Sequence, residues 1–453
     1  MTAESACAIV AAVRASRTTA ETVARAAIER IAVSTLGAVV DFDPDEGVAA
    51  ARAVDRRLAD GEDLPLAGLP VVVKDTIWVA GRRVTNGSLL FRDFRPPRDA
   101  IVVERLRRAG AVIMGVANTS EFACKGVTTN RVYGPTRHPL DPRLTPGGSS
   151  GGPAAAVAAG LVPVAIGTDA GGSSRRPPAH CGIVGFKPSF GAVPNGPGFP
   201  GPFSGIECLA PIASDVGDAR LVFDAIAGPD PRDPESIAIP AGAPRSLAAT
   251  RIALSPRLGL DVPVDASVSA AIERVAERLA QIGSDLRRAD PAWPTGLGEA
   301  GLMPLQHAGL AALYGDRRRA EPDLFDPDVG RQIDAGLALD AVAVARARLA
   351  SEAIARALAA FFGDVDLLLC PTVPCAPWPL DRLGPETIAG VTVEPRAHAV
   401  FTPFFNHALV PAVTIPCGRT GDGLPIGLQI VGPRGSDRHV LDAAAALEAL
   451  IST

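Results

Sequence analysis

Two segments rich in serine and glycine carry the side chains best suited to chemistry in this sequence. They are TPGGSSGGPAAAVAAG at 145–160 and GTDAGGSSRRPPAHCG at 167–182. Paired glycines let the backbone take conformations closed to other residues, so main-chain N–H groups can come close to a ligand. A serine hydroxyl beside such groups is what acyl transfer requires, a nucleophile next to donors for the oxyanion. Two flexible loops would have the same composition, so either segment alone leaves both interpretations open.

A serine nucleophile needs a base, and Lys74 is the candidate. The chain has 44 basic residues, of which only Lys74, Lys125 and Lys187 are lysines. Arginine stays protonated at any accessible pH, whereas burial can drive a lysine to its neutral form. Lys74 ends the apolar run GLPVVVK, and none of the six histidines is placed by sequence to act as the base. A buried, neutral amine is therefore expected at this position.

The elements that must hold these residues alternate between helix and strand. A capping box at Thr18 and Glu21 predicts the start of the first of them. The predicted elements are helices at 22–32, 47–61, 101–110, 153–160 and 264–283, and strands at 69–73, 111–118 and 161–168. This alternation predicts α/β layers whose strands are buried on both faces.

The composition excludes several classes of protein. With 47% apolar and 21% charged residues, the chain is typical of a globular protein with a large core. The net charge of −5 includes no basic run, which argues against nucleic-acid binding. The odd number of cysteines (7), with no CxxC pair, predicts reduced thiols in the cytoplasm. We find no signal peptide, no membrane span and no metal-binding motif, and so expect no membrane association and no metal.

Several separated motifs resemble those of the amidase signature family, and they occur in the family's order. The matching motifs are GLPVVVKD at 68–75, EFACKGVTTNRVYGPTRHP at 121–139, GGSSGG at 147–152, TDAGGSSR at 168–175, CGIVGFKPS at 181–189 and GLPIGLQIVGP at 423–433. The resemblance is closest over 65–190 and loose over 230–400. It covers most of the chain.

The resemblance implies the fold and the domain organisation. The expected fold class is α/β, a single large α/β/α sandwich around a mixed, mostly parallel sheet. One domain is expected over 1–453, with a signature core at 65–215, a variable substrate-specificity region at 230–400 and a return to the core at 400–450. The Pro/Gly-rich segment 191–205 is long for a turn and is interpreted as a functional surface loop.

The resemblance also implies the catalytic roles. Ser173 is the expected nucleophile, Ser149 the bridging serine after a cis peptide bond, and Lys74 the base. The main-chain N–H groups expected to form the oxyanion hole belong to Ala170, Gly171, Gly172 and Ser173. Supporting roles are expected for Ser150, Asp169 and Arg175. The family's reaction needs no cofactor and no metal.

Two positions beyond the expected nucleophile depart from the commonest family pattern. Ser174 makes the neighbouring wall smaller and more polar, and His180 replaces an aromatic or small residue. Cys181, next to His180, is interpreted as a core thiol because adjacent residues seldom face each other. Arg176 lies where some family members that recognise a carboxylate-bearing substrate have an arginine. It is a candidate substrate-binding residue, and the alternative is a structural arginine.

The expected function is that of a stand-alone amidohydrolase. It would cleave linear C–N bonds of small-molecule amides, and by extension of carbamates (urethanes) or urea-type analogues, as a monomer or homodimer. The alternative is the glutaminase-like A subunit of a tRNA-dependent amidotransferase. Against this alternative, Arg176 replaces the glutamine usual there and PFSGIECLAPIA departs from the usual loop. An α/β-hydrolase nucleophile elbow at Ser150 is disfavoured, because DPRLTP before it is not a strand.

Overall fold

The residues described by this computed structural model, 4–203, 205–242, 245–294 and 299–452, form alternating helices and strands. The strands are β1 (Val39–Phe42), β2 (Pro70–Lys74), β3 (Val112–Ala117), β4 (Thr129–Asn130), β5 (Gly134–Pro135), β6 (Val164–Asp169), β7 (Val184–Lys187), β8 (Cys208–Ala213), β9 (Arg251–Leu254), β10 (Asp285–Arg288), β11 (Leu367–Pro371), β12 (Thr387–Ile388), β13 (Val391–Thr392), β14 (Ala412–Arg419) and β15 (Pro425–Val431). The helices are α1 (Ala6–Arg14), α2 (Ala20–Ala32), α3 (Pro44–Ala59), α4 (Ile101–Arg108), α5 (Gly151–Ala158), α6 (Arg176–Cys181), α7 (Val216–Ile226), α8 (Ala266–Gln281), α9 (Glu299–Ala320), α10 (Pro327–Leu337), α11 (Ala341–Phe361), α12 (Pro403–His407) and α13 (Asp437–Ser452).

One mixed sheet of 11 strands runs through the fold, in the order β1-β3-β2-β6-β8-β7-β14-β15-β11-β9-β10. The α/β class with a mixed sheet is confirmed. The expectation that the sheet is mostly parallel is wrong in detail, because only β2/β3, β2/β6, β9/β10 and β9/β11 pair in parallel. The other pairs are antiparallel. In the case of β14 and β15, a short turn joins the two strands, and such a connection can only reverse the chain.

Apolar cores bury both faces of the sheet at β2. On β2, Val71 and Val73 pack into the core that includes residues of α4 and α7, whereas Val72 packs into the core that includes residues of α2 and α5. Burial on both faces explains why the strand reads as an unbroken apolar run. Because β2 and β6 are parallel neighbours, their carboxyl ends lie at the same sheet edge. Lys74 and Asp169 end these two strands and therefore lie close together.

The first predicted helix boundary is corrected by the structure. α2 begins at Ala20, and its N-cap is Thr19, whose hydroxyl accepts a hydrogen bond from the N–H of Thr22 at 3.1 Å. The expected capping box at Thr18 is thus wrong by one residue, because Thr19 has the extended backbone of a cap. Glu21 instead forms ion pairs with two arginines on the surface.

The loosely matching region 230–400 contributes both to the sheet and to the wall of the site. β9, β10 and β11 form one end of the sheet, while α9 and α10 pack on the loop before the first serine segment. There Tyr314 of α9 stacks on Phe122 with ring centroids 4.1 Å apart. No described helix combines the length and the apolar character needed to cross a membrane.

Candidate active site

Lys74 lies at the carboxyl end of β2 with its side chain fully buried. Its Nζ is 2.7 Å from Oγ of Ser149 and 2.8 Å from Oγ1 of Thr168. Burial lowers the pKa of Lys74 to about 8, against the opposing negative charges of Glu207 and Asp169. An amine with this pKa is half neutral near pH 8, and a lysine that acts as a base must be neutral.

Ser149 lies in the turn that leads into α5, and the peptide bond between Gly148 and Ser149 is cis. Its carbonyl oxygen accepts hydrogen bonds from the hydroxyls of Thr119 and Thr128, both at 3.2 Å. A Cβ atom on Gly148 would lie 2.7 Å from the backbone of a neighbouring loop, so only glycine fits there. These contacts hold the serine with its hydroxyl at Lys74.

Ser150 is buried and contacts the backbone of β6. Its hydroxyl donates to the carbonyl oxygen of Thr168 at 3.2 Å, which ties the start of α5 to β6. No strand leads directly into Ser150, and its hydroxyl is bonded to the Thr168 carbonyl rather than exposed to a substrate. Neither feature fits the nucleophile-elbow alternative.

Ser173 lies in the loop between β6 and α6, where 7% of the residue is exposed. It lines a cavity together with Ser149, Thr168 and Arg176. The structure thus brings all three expected catalytic residues to one place. Lys74 contacts Ser149 from the buried side, and both serines form part of the cavity wall.

The Gly171–Gly172 peptide is anchored at both ends, which corrects one expectation. The N–H of Gly172 donates to Oδ1 of Asp169 at 2.7 Å, so it is not available to an oxyanion. The carbonyl of Gly171 accepts from Thr402 Oγ1 at 2.7 Å and from Arg176 Nη1 at 2.8 Å. A Cβ atom on Gly172, whose φ is +117°, would lie 2.1 Å from Thr402 Oγ1. Glycine is required here to hold the loop rather than to bind an oxyanion.

Three of the expected oxyanion donors remain candidates. Ala170, Gly171 and Ser173 all line the cavity. Within the described residues, the N–H groups of Gly171 and Ser173 donate to no protein acceptor. These groups are therefore free to meet a charge that develops on a substrate oxygen.

Asp169 and Arg175 form an ion pair with both side chains fully buried. Two hydrogen bonds join them, at 2.9 Å from Nε and 2.8 Å from Nη2. Burial alone would raise the pKa of Asp169, but the charge and hydrogen bonds of Arg175 hold it well below its usual range. Arg175 also donates to Oε1 of Gln429 at 2.8 Å and to Oδ1 of Asn406 at 2.5 Å. The pair ties the loop that carries Ser173 to β15 and α12.

Arg176 contacts both serine-bearing loops. Besides its bond to Gly171, it reaches Thr402 Oγ1 at 3.3 Å and the carbonyl oxygen of Gly148 at 3.5 Å. It is 6% exposed and lines the cavity beside Ser173. The contacts fit the structural alternative, and the position on the cavity wall fits the substrate-binding alternative.

His180 and Cys181 lie away from each other in the core of the protein. The ring of His180 meets Trp378 edge to face with centroids 5.5 Å apart, and burial lowers the pKa of His180 to about 3. Cys181 packs in the core that contains α5, and burial raises the pKa of its thiol. The interpretation of Cys181 as a core thiol is confirmed, and His180 is a neutral packing residue.

The two other lysines differ in how close they lie to the site. Lys125 lines the cavity, and its Nζ donates to Oδ2 of Asp326 at 2.5 Å. Lys187 is the last residue of β7, and its Nζ donates to the carbonyl oxygen of Pro188 at 2.9 Å. Both side chains are held by protein partners.

Sequence reasoning missed two groups next to the base. Thr168 belongs to the matching motif TDAGGSSR but received no role, although its hydroxyl contacts Lys74. Glu207 is the only acidic residue in PFSGIECLAPIA, and its side chain lines the cavity. Burial raises the pKa of Glu207, while the nearby Lys74 and a hydrogen bond from Thr168 lower it. The signal available in the sequence was a single acidic residue, Glu207, directly before the apolar run CLAPIA.

Two further pockets share part of their lining with this cavity. One has a volume of about 300 Å³ and is largely apolar; Phe203, Ile206, Leu302, Met303, Leu305 and Ala312 are among the residues that line it. The other is lined in part by residues of 195–203. These belong to the predicted functional loop 191–205, of which the structure describes 191–203 and 205. In the part of the chain that the structure describes, no three His, Cys, Asp or Glu side chains are grouped so as to hold a metal ion.

Comparison with known proteins gives matches along nearly the whole chain. Residues 22–441 match the family model described as Amidase. The A subunit of the glutamyl-tRNA(Gln) amidotransferase of Thermus thermophilus is 35% identical over 459 residues, which cover 92% of this chain and 93% of that protein.

Among solved structures, a bacterial aryl acylamidase of the amidase signature family superposes with a TM-score of 0.91 at 28% identity. The match covers 99% of this chain and 96% of that chain. The structure of the glutamyl-tRNA(Gln) amidotransferase A subunit from Thermotoga maritima, also 28% identical, has a TM-score of 0.69 and covers 84% of this chain and 83% of that chain. The chain is thus similar in sequence to the amidotransferase A subunit, whereas its fold matches the aryl acylamidase over more of its length than it matches the solved A subunit.

Proposed function

The chain belongs to the amidase family, and on that premise we propose that it is an amidohydrolase whose acyl-enzyme forms on Ser173. The observation that carries the proposal is the placement of Lys74. Its amine is fully buried, has a lowered pKa and lies 2.7 Å from Oγ of Ser149. A buried amine in contact with a serine hydroxyl can take that proton, which is how a serine relay begins.

In the proposed reaction, neutral Lys74 accepts the hydroxyl proton of Ser149, and Ser149 accepts the proton of Ser173. Oγ of Ser173 attacks the amide carbonyl carbon, and the N–H groups of Ala170, Gly171 and Ser173 bind the oxyanion. The relay then returns the proton to the leaving nitrogen, which departs as ammonia or an amine. Water hydrolyses the acyl-enzyme by the same route and restores the serine.

The proposed substrates are small amides with an apolar group. The polar cavity that holds the serines shares Phe203 and Gln306 with the lining of the apolar pocket beside α9, and that pocket could take an aryl or alkyl group. The loop 195–203 and the helices of region 230–400 form these walls, so we assign substrate selection to them. Carbamates and urea-type analogues share the attacked carbonyl and belong in the same substrate panel.

The experiment is a hydrolysis panel with purified protein. It compares p-nitroacetanilide, butyramide, an alkyl carbamate, an alkylurea and p-nitrophenyl acetate, with Ser173→Ala as the blank. We expect turnover of at least one amide by the wild type and none by the variant. The proposal is refuted if the wild type hydrolyses no amide, or if Ser173→Ala keeps the wild-type rate.

A second candidate is the glutaminase-like A subunit, favoured by the 35% sequence identity to A subunits of glutamyl-tRNA(Gln) amidotransferases. Arg176 and the segment 202–213 depart from the pattern of that protein, and the shape agrees less well with its solved example than with the aryl acylamidase. We therefore propose a stand-alone enzyme, a monomer or homodimer. Turnover of amides by the isolated chain would support this, whereas glutamine hydrolysis only with partner proteins would favour the alternative.

A further inference from the structure

Three neighbouring strands place Lys74, Thr168 and Glu207 side by side. Lys74 ends β2, Thr168 lies in β6, and Glu207 immediately precedes β8, which is the next strand in the sheet. In the register of β6 and β8, Thr168 is opposite Leu209. Glu207 lies two residues before Leu209, so its side chain is on the same face of the sheet. The side chains of Thr168 and Glu207 both line the cavity.

Hydrogen bonds join Lys74 to Thr168 on one side and to Ser149 on the other, and Glu207 lies beside Thr168 in the cavity wall. Nζ of Lys74 is 2.8 Å from Oγ1 of Thr168 and 2.7 Å from Oγ of Ser149. Thr168 and Glu207 line the same cavity, and the Thr168 hydroxyl lowers the pKa of the Glu207 carboxyl against the effect of burial. A hydroxyl carries one donor and two acceptor sites, so Thr168 can accept from the amine while it donates to the carboxylate.

We propose that Glu207 is a positioning residue that acts on Lys74 through Thr168 and stabilises the ammonium formed when Lys74 takes the proton of Ser149. The inference rests on the proposed function, in which Lys74 is the base. With Thr168 accepting one amine hydrogen, the lone pair of neutral Lys74 is left to face Ser149. The carboxylate then offsets the positive charge that proton transfer places in a buried site.

The other charged groups near Lys74 are positive or already paired, so we assign the stabilisation of the ammonium to Glu207. The titratable and charged groups that act on Lys74 or line the same cavity are Asp169, Cys124, Arg176, Lys125 and Arg396. The negative charge of Asp169 is matched by its ion pair with Arg175, and Lys125 is paired with Asp326. Arg176 disfavours an ammonium at Lys74, and burial raises the pKa of the Cys124 thiol, which keeps it uncharged. Glu207 is the carboxylate whose charge acts most strongly in favour of the ammonium.

The small number of lysines makes a direct test possible. Lysine labelled with an NMR-active carbon at Cε gives signals from only Lys74, Lys125 and Lys187, and the Lys74 signal is assigned by its loss in Lys74→Arg. We expect the wild-type signal to titrate near pH 8. In Glu207→Gln the titration should move to lower pH by about one pKa unit or more, because the variant removes a negative charge that favours the ammonium in a buried site.

Matched variants separate this effect from a general loss of structure. Thr168→Val should also lower the Lys74 titration, whereas Thr168→Ser keeps the hydroxyl and should leave it near the wild-type value. The two substitutions carry the test if Glu207→Gln fails to fold. Glu273→Gln removes a carboxylate that is paired with Arg288 on the surface, so we expect no change in the Lys74 titration.

The titration needs no substrate, so its outcome is independent of the hydrolysis panel. Failure to hydrolyse any amide would refute the proposed function, whereas an unchanged Lys74 titration in Glu207→Gln would overturn the role of Glu207. With p-nitroacetanilide, the acidic limb of kcat/KM should move to lower pH with the titration, at a nearly constant KM. A raised KM confined to cationic amides, with the titration unchanged, would instead make Glu207 a substrate-binding group and also overturn the inference.

Discussion

Replacing Arg176 with alanine separates two roles that its position permits. The guanidinium holds the carbonyl of Gly171 at 2.8 Å and approaches that of Gly148 at 3.5 Å, so it bridges the loops that carry the two serines. It also lines the cavity beside Ser173, where it could meet a substrate carboxylate. We expect the bridging role to dominate, because the short contact is to the protein's own backbone.

The size of the effect follows from the bonds that are lost. A hydrogen bond to a charged group contributes roughly 1.5–3 kcal/mol, and each 1.36 kcal/mol or so of barrier is tenfold in rate. Thr402 keeps its own 2.7 Å bond to the Gly171 carbonyl, so the loop stays partly anchored in the variant. We therefore expect Arg176→Ala to lower kcat/KM by about ten- to a hundredfold for every substrate.

The assay compares two primary amides of similar shape, succinamate and isocaproamide, by the release of ammonia. Succinamate ends in a carboxylate, and isocaproamide ends in an isopropyl group. The matched control is Arg105→Ala, since Nη1 of Arg105 also donates to main-chain carbonyls, those of residues 226–228 at 2.7–3.0 Å, but it lies outside the cavity lining. This control should lower stability with little change in kcat/KM.

The ratio between the two substrates decides the question. An equal loss for both, together with a lower melting temperature, is the expected result. If isocaproamide is hydrolysed at the wild-type rate and only succinamate is lost, chiefly through KM, then Arg176 recognises the substrate. The bridging interpretation would then be wrong.

Four further predictions concern the proposed proton relay and the ion pair behind it. Lys74→Arg should not restore the activity lost in Lys74→Ala, because arginine cannot give up its proton; near-normal steady-state rates would remove Lys74 as the base. Ser149→Ala should impair turnover far more than Ser150→Ala, and the reverse order of rates would favour the nucleophile elbow. Since Lys74 must be neutral, kcat/KM should rise with pH through a pKa of about 8 and then level off; a bell-shaped profile near pH 5 would point to a carboxylate base. Arg175→Ala leaves Asp169 buried without its partner, and urea unfolding should show a free energy of unfolding lower by about 3–5 kcal/mol; a change below about 1 kcal/mol would contradict that reasoning.

Local patterns were sufficient to predict β2, β3 and β6 and to select residues that the structure brings together at the candidate site. The run LPVVV predicts β2 because both faces of the sheet are buried, and Lys74 is where the apolar run ends. The motifs that resemble the amidase signature family identified Ser149, Ser173 and the buried pair of Asp169 and Arg175. These residues could be placed because each lies within a short, contiguous motif.

Contacts between distant segments could not be predicted in the same way. Thr402 fills the space that a Cβ on Gly172 would need, and it comes from a segment 230 residues further along the chain. Glu207 reaches the site only because β8 pairs with β6 in antiparallel register, and sequence alone predicted neither the pairing nor the register. The role expected for the Gly172 N–H failed for the same reason, since the position of the Asp169 carboxylate relative to it depends on the folded loop.

The central claim, a covalent intermediate on Ser173, is tested most directly by trapping it. Wild-type protein is mixed with p-nitrophenyl acetate, quenched with acid within the first turnover and digested, and the acetylated peptide is located by mass spectrometry. We expect the acetyl group on Ser173 in the wild type and no acetylated site peptide in Ser173→Ala. An acetyl group on Ser150 or Cys124, or rapid turnover without any acetylated peptide, would contradict the account.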